Sequence, residues 1–225
     1  MSTRPTLNVK SNLVKLARTA VSIGVAVLTL QIGGAGVALA SELNEPSELI
    51  EIPDGFQMVS RKSVAIDGTE AALTRYERKD GRNTGLGGEH ISVLRDRSGQ
   101  LKGFVRMTKD GKAGELPSTA VARDSALTFL KQAAPDLLLS MELHWIAQHD
   151  ETITVALQGQ RQSITISGMK VKMRNTADGR WFWVIIGVNA QPIVFERDIV
   201  WITMPGHRQT EKWLHDSWLI ERTAR

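Results

Sequence analysis

The stretch that decides the fold reads Leu116-Pro117-Ser118-Thr119-Ala120-Val121-Ala122-Arg123-Asp124-Ser125-Ala126-Leu127-Thr128-Phe129-Leu130-Lys131-Gln132-Ala133-Ala134-Pro135. Ala122, Ala126, Phe129, Leu130 and Ala133 recur at helical spacing and share one face. Pro117 and the hydroxyls of Ser118 and Thr119 supply the start, and Pro135 supplies the stop. Small alanines on that face let the helix sit close on a sheet. Arg123, Asp124 and Lys131 fall on other faces, as solvated positions. It is the one clear helix of the chain.

Outward from this helix the signals are those of strands. On its N-terminal side, Val64-Ala65-Ile66 meets Asp67-Gly68, a dipeptide suited to a tight hairpin turn, and Ala71 to Arg78 follows. A turn-rich loop ends Thr84-Gly85-Leu86-Gly87-Gly88. Then His90 to Leu94 and Leu101 to Met107 flank Asp96 to Gln100 as a second hairpin. On its C-terminal side, Met141, Leu143, Trp145 and Ala147 alternate with Glu142, His144, Ile146 and Gln148. Thr152 to Leu157 is followed by a turn at Gln158-Gly159-Gln160. Ile164 and Ile166 share one parity while Met169, Val171 and Met173 share the other, which predicts a β-bulge at Gly168. Trp181 to Ile186 is apolar on both faces, the mark of an inner strand. Pro192 to Met204 reads as the last long strand. Thr210 is the expected cap of a short helix beginning at Glu211.

The expected class is therefore α+β: an antiparallel β meander packed on one main helix, with an N-terminal hairpin region and a short C-terminal helix. It forms a single domain over residues 56–225, divided into a hairpin part (56–113), helix plus meander (114–205) and tail (206–225).

Upstream of that domain the chain reads as an export signal. Arg4, Lys10, Lys15 and Arg18 precede an uncharged stretch from Thr19 to Ala40 that ends Ala38-Leu39-Ala40. Positive, apolar, then small-x-small is the order a signal peptidase reads. The expectation is a signal peptide over residues 1–40, cleavage between Ala40 and Ser41, and a periplasmic product. If uncleaved, the same segment is a membrane anchor. Residues 41–55, with Glu42, Glu45, Glu48, Glu51 and Asp54 and no base, read as an acidic, solvated linker. The whole chain has 28 Lys+Arg and 24 Asp+Glu. Removing the four bases of the signal segment leaves equal numbers, so the basic balance gives no argument for nucleic acid. The chain has no cysteine, which excludes disulfides, thiolate metal sites and a cysteine nucleophile.

No stretch carries a recognisable catalytic motif. His144 and His149 are five apart without the glutamate of a His-Glu-x-x-His helix. No Gly-x-Ser-x-Gly elbow occurs, and the glycines at 85–88 lack the Gly-Lys-Ser/Thr of a phosphate loop. Neither cofactor nor metal is implied. Two features remain as a candidate binding surface. Lys170, Lys172 and Arg174 form a basic stripe along a strand, and Glu196 and Asp198 oppose them if their strands are neighbours. All six tryptophans lie after residue 144. Most are assigned to the core, while Trp213 and Trp218 either clamp the tail onto the sheet or form an exposed partner anchor.

Tyr76-Glu77-Arg78, the run Gly85-Leu86-Gly87-Gly88-Glu89-His90-Ile91-Ser92-Val93 and Asp96 to Gly99 resemble the propeptides of thermolysin-like metallopeptidases. The helix from Leu116-Pro117-Ser118 to Ala134-Pro135-Asp136 is similar to that of PepSY-type domains, a cystatin-like arrangement. The resemblance covers residues 75–135. It implies an inhibitory or chaperone-like module acting through a sheet face or edge on another envelope or secreted protein. The chain has no peptidase domain before Arg225, so a peptidase partner is expected to be a separate chain. The expected function is an exported, non-enzymatic binding or regulatory module. Two alternatives stand beside it. One is a small-molecule or lipid carrier with a pocket under the curled sheet. The other is a hydrolase using Glu142, His144 and Asp198.

Overall fold

Eight strands pair, all antiparallel, into one sheet, and few helices accompany them. In chain order the elements are β1 (Phe56–Ile66), β2 (Thr69–Arg78), β3 (His90–Asp96), β4 (Leu101–Met107), α1 (Thr119–Ala133), β5 (Met141–Leu157), β6 (Gln160–Asn175), β7 (Trp181–Ile186), β8 (Pro192–Ile199), β9 (Trp201–Ile202), β10 (His207–Arg208) and α2 (Asp216–Thr223). This computed structural model describes residues 49–112 and 114–224. The expected signal segment with its expected cleavage site, and residues 41–48 of the expected linker, lie outside them. Among the described residues no helix is long and apolar enough to cross a membrane.

The strand order is β1-β2-β3-β4-β8-β7-β6-β5. It consists of two four-stranded meanders, before and after α1, joined where β4 pairs with β8. The hairpin region and the later meander are thus halves of one sheet. Local chemistry closes the tight turns. Asp67 and Gly68 both take positive φ, as do Gln158 and Gly159, the backbone that fits a two-residue hairpin to the twist of its strands.

The sheet is covered on both faces. On one side α1 buries Ala122, Ala126, Phe129 and Leu130. The Phe129 ring lies 5.5 Å from Phe104 and 5.3 Å from Phe195, both tilted toward an edge-on arrangement. The Ser118 hydroxyl accepts the Val121 N–H at 3.3 Å and caps the helix. Ile50 is 6% exposed and belongs to this same core, and the Glu51 carbonyl accepts a bond from Arg106 at 2.6 Å. The linker reading therefore fails at its C-terminal end, where the apolar side chain of Ile50 outweighs the acids around it.

The other, inner face gathers Leu73, Leu94, Val105, Ile153, Ile166, Trp183 and Ile185. The sheet curls enough for the end of β5 to meet the loop between β2 and β3. There the Thr154 N–H donates to Gly87 O at 2.7 Å and the Ala156 N–H to Asn83 Oδ1 at 2.6 Å. The C-terminal segment fills the curl. Leu214, 4% exposed, enters beside Gly103, where a β-carbon would come within 2.7 Å of Leu214 Cδ1 and 2.6 Å of Phe195 O.

Three sequence expectations change here. There is no bulge at Gly168, which pairs with His149 in regular register. The parity switch has another cause: Ile164 and Ile166 are buried on the inner face, whereas Val171 and Met173 are buried on the helix face. Register shifts lie elsewhere, in β1 at Met58/Ser60, between β3 and β4 at Leu94/Arg95, between β7 and β8 at Ile185/Ile186, at His144 in β5 and at Arg197-Asp198 in β8, where Asp198 has φ +60°. The last long strand stops at Ile199 just beyond that bulge, and β9 and β10 form a separate two-stranded ribbon. Thr210 does not cap a helix. Its buried hydroxyl accepts the Val200 N–H at 2.9 Å and lies 3.2 Å from Asp67 Oδ2, and α2 begins only at Asp216.

Candidate functional site

Strand alternation sets which side chains share the inner face. Trp145 of β5 pairs with Lys172 of β6, and Lys172 with Trp183 of β7. Arg174 pairs with Trp181, and Lys170 with Ile185. The bulge at His144 puts His144 and Trp145 together at one end of this face, a familiar use of an extra residue. The bulge in β8 precedes Trp201, which reaches the same place.

The result is a lysine ringed by indoles. Lys172 Nζ lies 4.2 Å from the centroid of Trp181, 5.6 Å from Trp145 and 5.7 Å from Trp201. His144 meets Trp181 edge-on at 4.9 Å, and the Arg174 guanidinium lies 5.6 Å over that ring. Trp145 is 39% and Trp201 47% exposed. The assignment of these two tryptophans to the core is therefore corrected; Trp183 alone of the four is fully buried. Each cation–π contact is worth about 0.5–2 kcal/mol, more as water is excluded. Neither Lys172 nor Arg174 makes an ion pair among the described residues, although Glu142 stands across the strand pair from Arg174. Burial pushes the Lys172 ammonium below its usual range.

Deeper on the face, Lys170 Nζ sits 3.9 Å over Trp183. Burial pushes its pKa down to about 8, against the attraction of Glu196. Glu196 is 2% exposed and fully satisfied. It accepts from Trp183 Nε1 at 3.1 Å, His215 Nε2 at 3.0 Å and Arg208 at 2.8 Å. Desolvation would raise its pKa, but His215 and Arg208 outweigh that and hold it well below the usual carboxylate range. Next in sequence to His215, Asp216 takes both terminal nitrogens of Arg75, at 2.7 and 3.0 Å, and the Gly87 N–H at 2.6 Å. Arg75 also binds Glu77 at 2.7 Å. Two adjacent tail residues thus fix the tail to both halves of the sheet.

The predicted site residues separate into three groups. Lys170, Lys172 and Arg174 do share one face. Glu196 shares it too, but β7 lies between its strand and theirs, so the direct cross-strand opposition is replaced by contact through Trp183. Asp198 turns away at the bulge to bind Lys102 and Arg197. Trp213 packs against the inner-face core, but no cation–π contact among the described residues joins Trp213 or Trp218 to Lys170, Lys172 or Arg174. These two tryptophans stack edge-on at 5.0 Å, and Trp213 Nε1 donates to Ala65 O at 2.7 Å. Trp145, Trp181, Trp201 and Arg208 are the site residues that the sequence did not single out, and His144 was considered there only for metal or hydrolase chemistry. The available signal was the alternation of Trp145 with exposed polar residues.

No hydrogen bond or ion pair joins any two of Glu142, His144 and Asp198 among the described residues. No group of three His, Asp or Glu side chains among those residues is placed to hold a metal ion. The curl itself is filled. Beside the tail it leaves about 60 Å3, lined by His90, Met107, Glu151 and Leu214 among others. A groove of about 530 Å3 lies instead on the helix face, walled by Ile50, Phe104, Arg106, Val121, Phe129 and Pro192. Comparison with known protein families, curated proteins and solved structures finds no match.

Proposed function

We propose that this chain is an exported, non-enzymatic binding or regulatory module that engages another envelope or secreted protein through the face of Trp145, Lys172, Arg174 and Trp201. The observation that carries this reading is a half-exposed cluster of indoles around a lysine that makes no ion pair among the described residues. Exposed tryptophan beside cations is the composition of interface hot spots. Rigid strands hold it in place, so little ordering is lost on contact. The PepSY-like resemblance of residues 75–135 belongs to the same proposal, supported by the seat of α1 on Phe104 and Phe195. In that reading the module is inhibitor- or chaperone-like.

The test is a photo-reactive phenylalanine analogue at Trp201, with the same group at exposed Val59 as control. A discrete protein adduct from the cell envelope is expected for position 201 alone. Equal patterns at both positions would remove the proposal. A second reading, a small-molecule or lipid carrier, rests on the groove of about 530 Å3, which is of ligand size. Native mass spectrometry of protein released gently from envelopes would show a bound mass; its absence counts against a carrier.

A further inference from the structure

The chemistry of the face narrows the partner. Its exposed groups are of two kinds, indole and cation. Trp145 and Trp201 present apolar surface, and Lys172 and Arg174 present charge that no carboxylate within the described residues answers by ion pairing. The acid beneath them is already spent, since Glu196 is held by Arg208 and His215. Glu142 and Glu151 are the remaining acids against three bases on this face, and Glu151 is already engaged by His149. A ligand that covers the face must therefore bring negative charge and apolar groups together, because a desolvated and unanswered ammonium is costly.

Three carriers of negative charge can be compared. A sugar acid would stack on indole, but its hydroxyls need hydrogen-bonding partners, and the groups that touch the Lys172 ammonium are three indole rings. A lipid bilayer is flat, whereas Lys170 and Trp183 form the floor of a curled sheet. A second copy of this chain would have to set its own surface here; β5, the open edge beside the face, carries Glu142, Asp150 and Glu151 and no Lys or Arg. Edge-to-edge pairing would therefore oppose like charges. A peptide that interleaves carboxylates with apolar side chains meets both requirements.

Resting on the reading of this face as a protein contact, we infer that its partner presents a short acidic and apolar segment, whose carboxylates meet Lys172 and Arg174 while its apolar side chains lie on Trp145 and Trp201. Charge sets the encounter and the indoles set the dwell time.

The experiment titrates the full-length secreted protein with three synthetic probes and follows tryptophan fluorescence and calorimetric heat. The probes are a Glu/Leu peptide, the corresponding Lys/Leu peptide and an oligouronate. The Glu/Leu peptide is expected to bind, and more weakly as salt rises. Lys172→Gln is expected to weaken it about tenfold or more, and Trp201→Ala by a similar factor. Both positions are partly or largely exposed, so the variants should keep the wild-type melting curve; Arg123→Gln on α1 serves as a charge control with unchanged binding. Binding of the Lys/Leu peptide or the oligouronate in preference to the Glu/Leu peptide overturns the inference. So does Glu/Leu binding that Lys172→Gln leaves intact, or a face occluded by self-association in sedimentation. If position 201 still cross-links an envelope protein while the Glu/Leu peptide does not bind, this inference fails and the binding-module reading stands. If neither occurs, both fail.

Discussion

Replacing Glu196 by Gln removes one buried charge from the centre of the inner face and leaves its shape almost unchanged. In the wild type that carboxylate accepts from Trp183, His215 and Arg208 at 3.1, 3.0 and 2.8 Å. Arg208 has a side chain only 5% exposed, and it cannot shed its proton. Removing one partner of such a buried pair costs about 3–5 kcal/mol, because the remaining charge stays desolvated and unanswered. His215 can escape the penalty by losing its proton, so the cost at pH 7 falls mainly on Arg208. A domain of this size has about 5–15 kcal/mol of stability in total. At roughly 2–4 °C per kcal/mol, the melting temperature should fall by about 6–20 °C. Urea unfolding at pH 7 measures the loss directly, and two-dimensional NMR of the imidazoles supplies an independent sign. With the carboxylate gone, burial and Arg208 are opposed only by Glu151, so the His215 pKa should fall from its raised value. A loss under about 1 kcal/mol, or an unmoved His215 titration, would refute the claim that Glu196 anchors the tail.

The same groups predict a pH profile. Burial and the nearby Arg75 lower the His90 pKa, so only the unfolded chain takes up its proton and stability falls as pH drops below about 6.5. Burial opposes His215 protonation but Glu196 outweighs it, so the His215 contribution is full below about 6.5 and is lost as pH rises through the raised value. Lys170, about 8 when folded against 10.5 when free, adds stability as pH climbs between those values. Urea midpoints from pH 5 to 10 should show a maximum near 6.5, a dip, and a rise above 8; a steady increase from 5 to 8 would contradict the His215 assignment. Gly103→Ala tests the seat of the tail. Its β-carbon would lie 2.6 Å from a backbone oxygen and 2.7 Å from Leu214, so a loss of about 1–3 kcal/mol in urea unfolding is expected, and a neutral variant would show that Leu214 is not seated there.

Much of the secondary structure was legible because its causes are local. The Ser118 cap, the alanine face of α1 and the Asp67-Gly68 turn each depend on residues within a few positions of one another. The error at Gly168 shows where this stops. Parity reports that a residue is buried, not on which face, and β6 is buried on opposite faces along its length. The basic stripe was legible for the same local reason, as alternation within one strand. Its surroundings were not, because Trp145, Trp181 and Trp201 come from three different elements.

By itself, then, the sequence determined the elements, most of their turns, the absence of disulfide chemistry and a cationic strand face. These follow from backbone preference, side-chain period and composition. Only the tertiary structure decided that the two meanders form one sheet, that the tail fills its curl, and that Lys172 stands among tryptophans while Glu196 is held by Arg208 and His215. Those are contacts between distant residues, set by the joining of β4 to β8 and by the sense of the curl, and no local pattern encodes either.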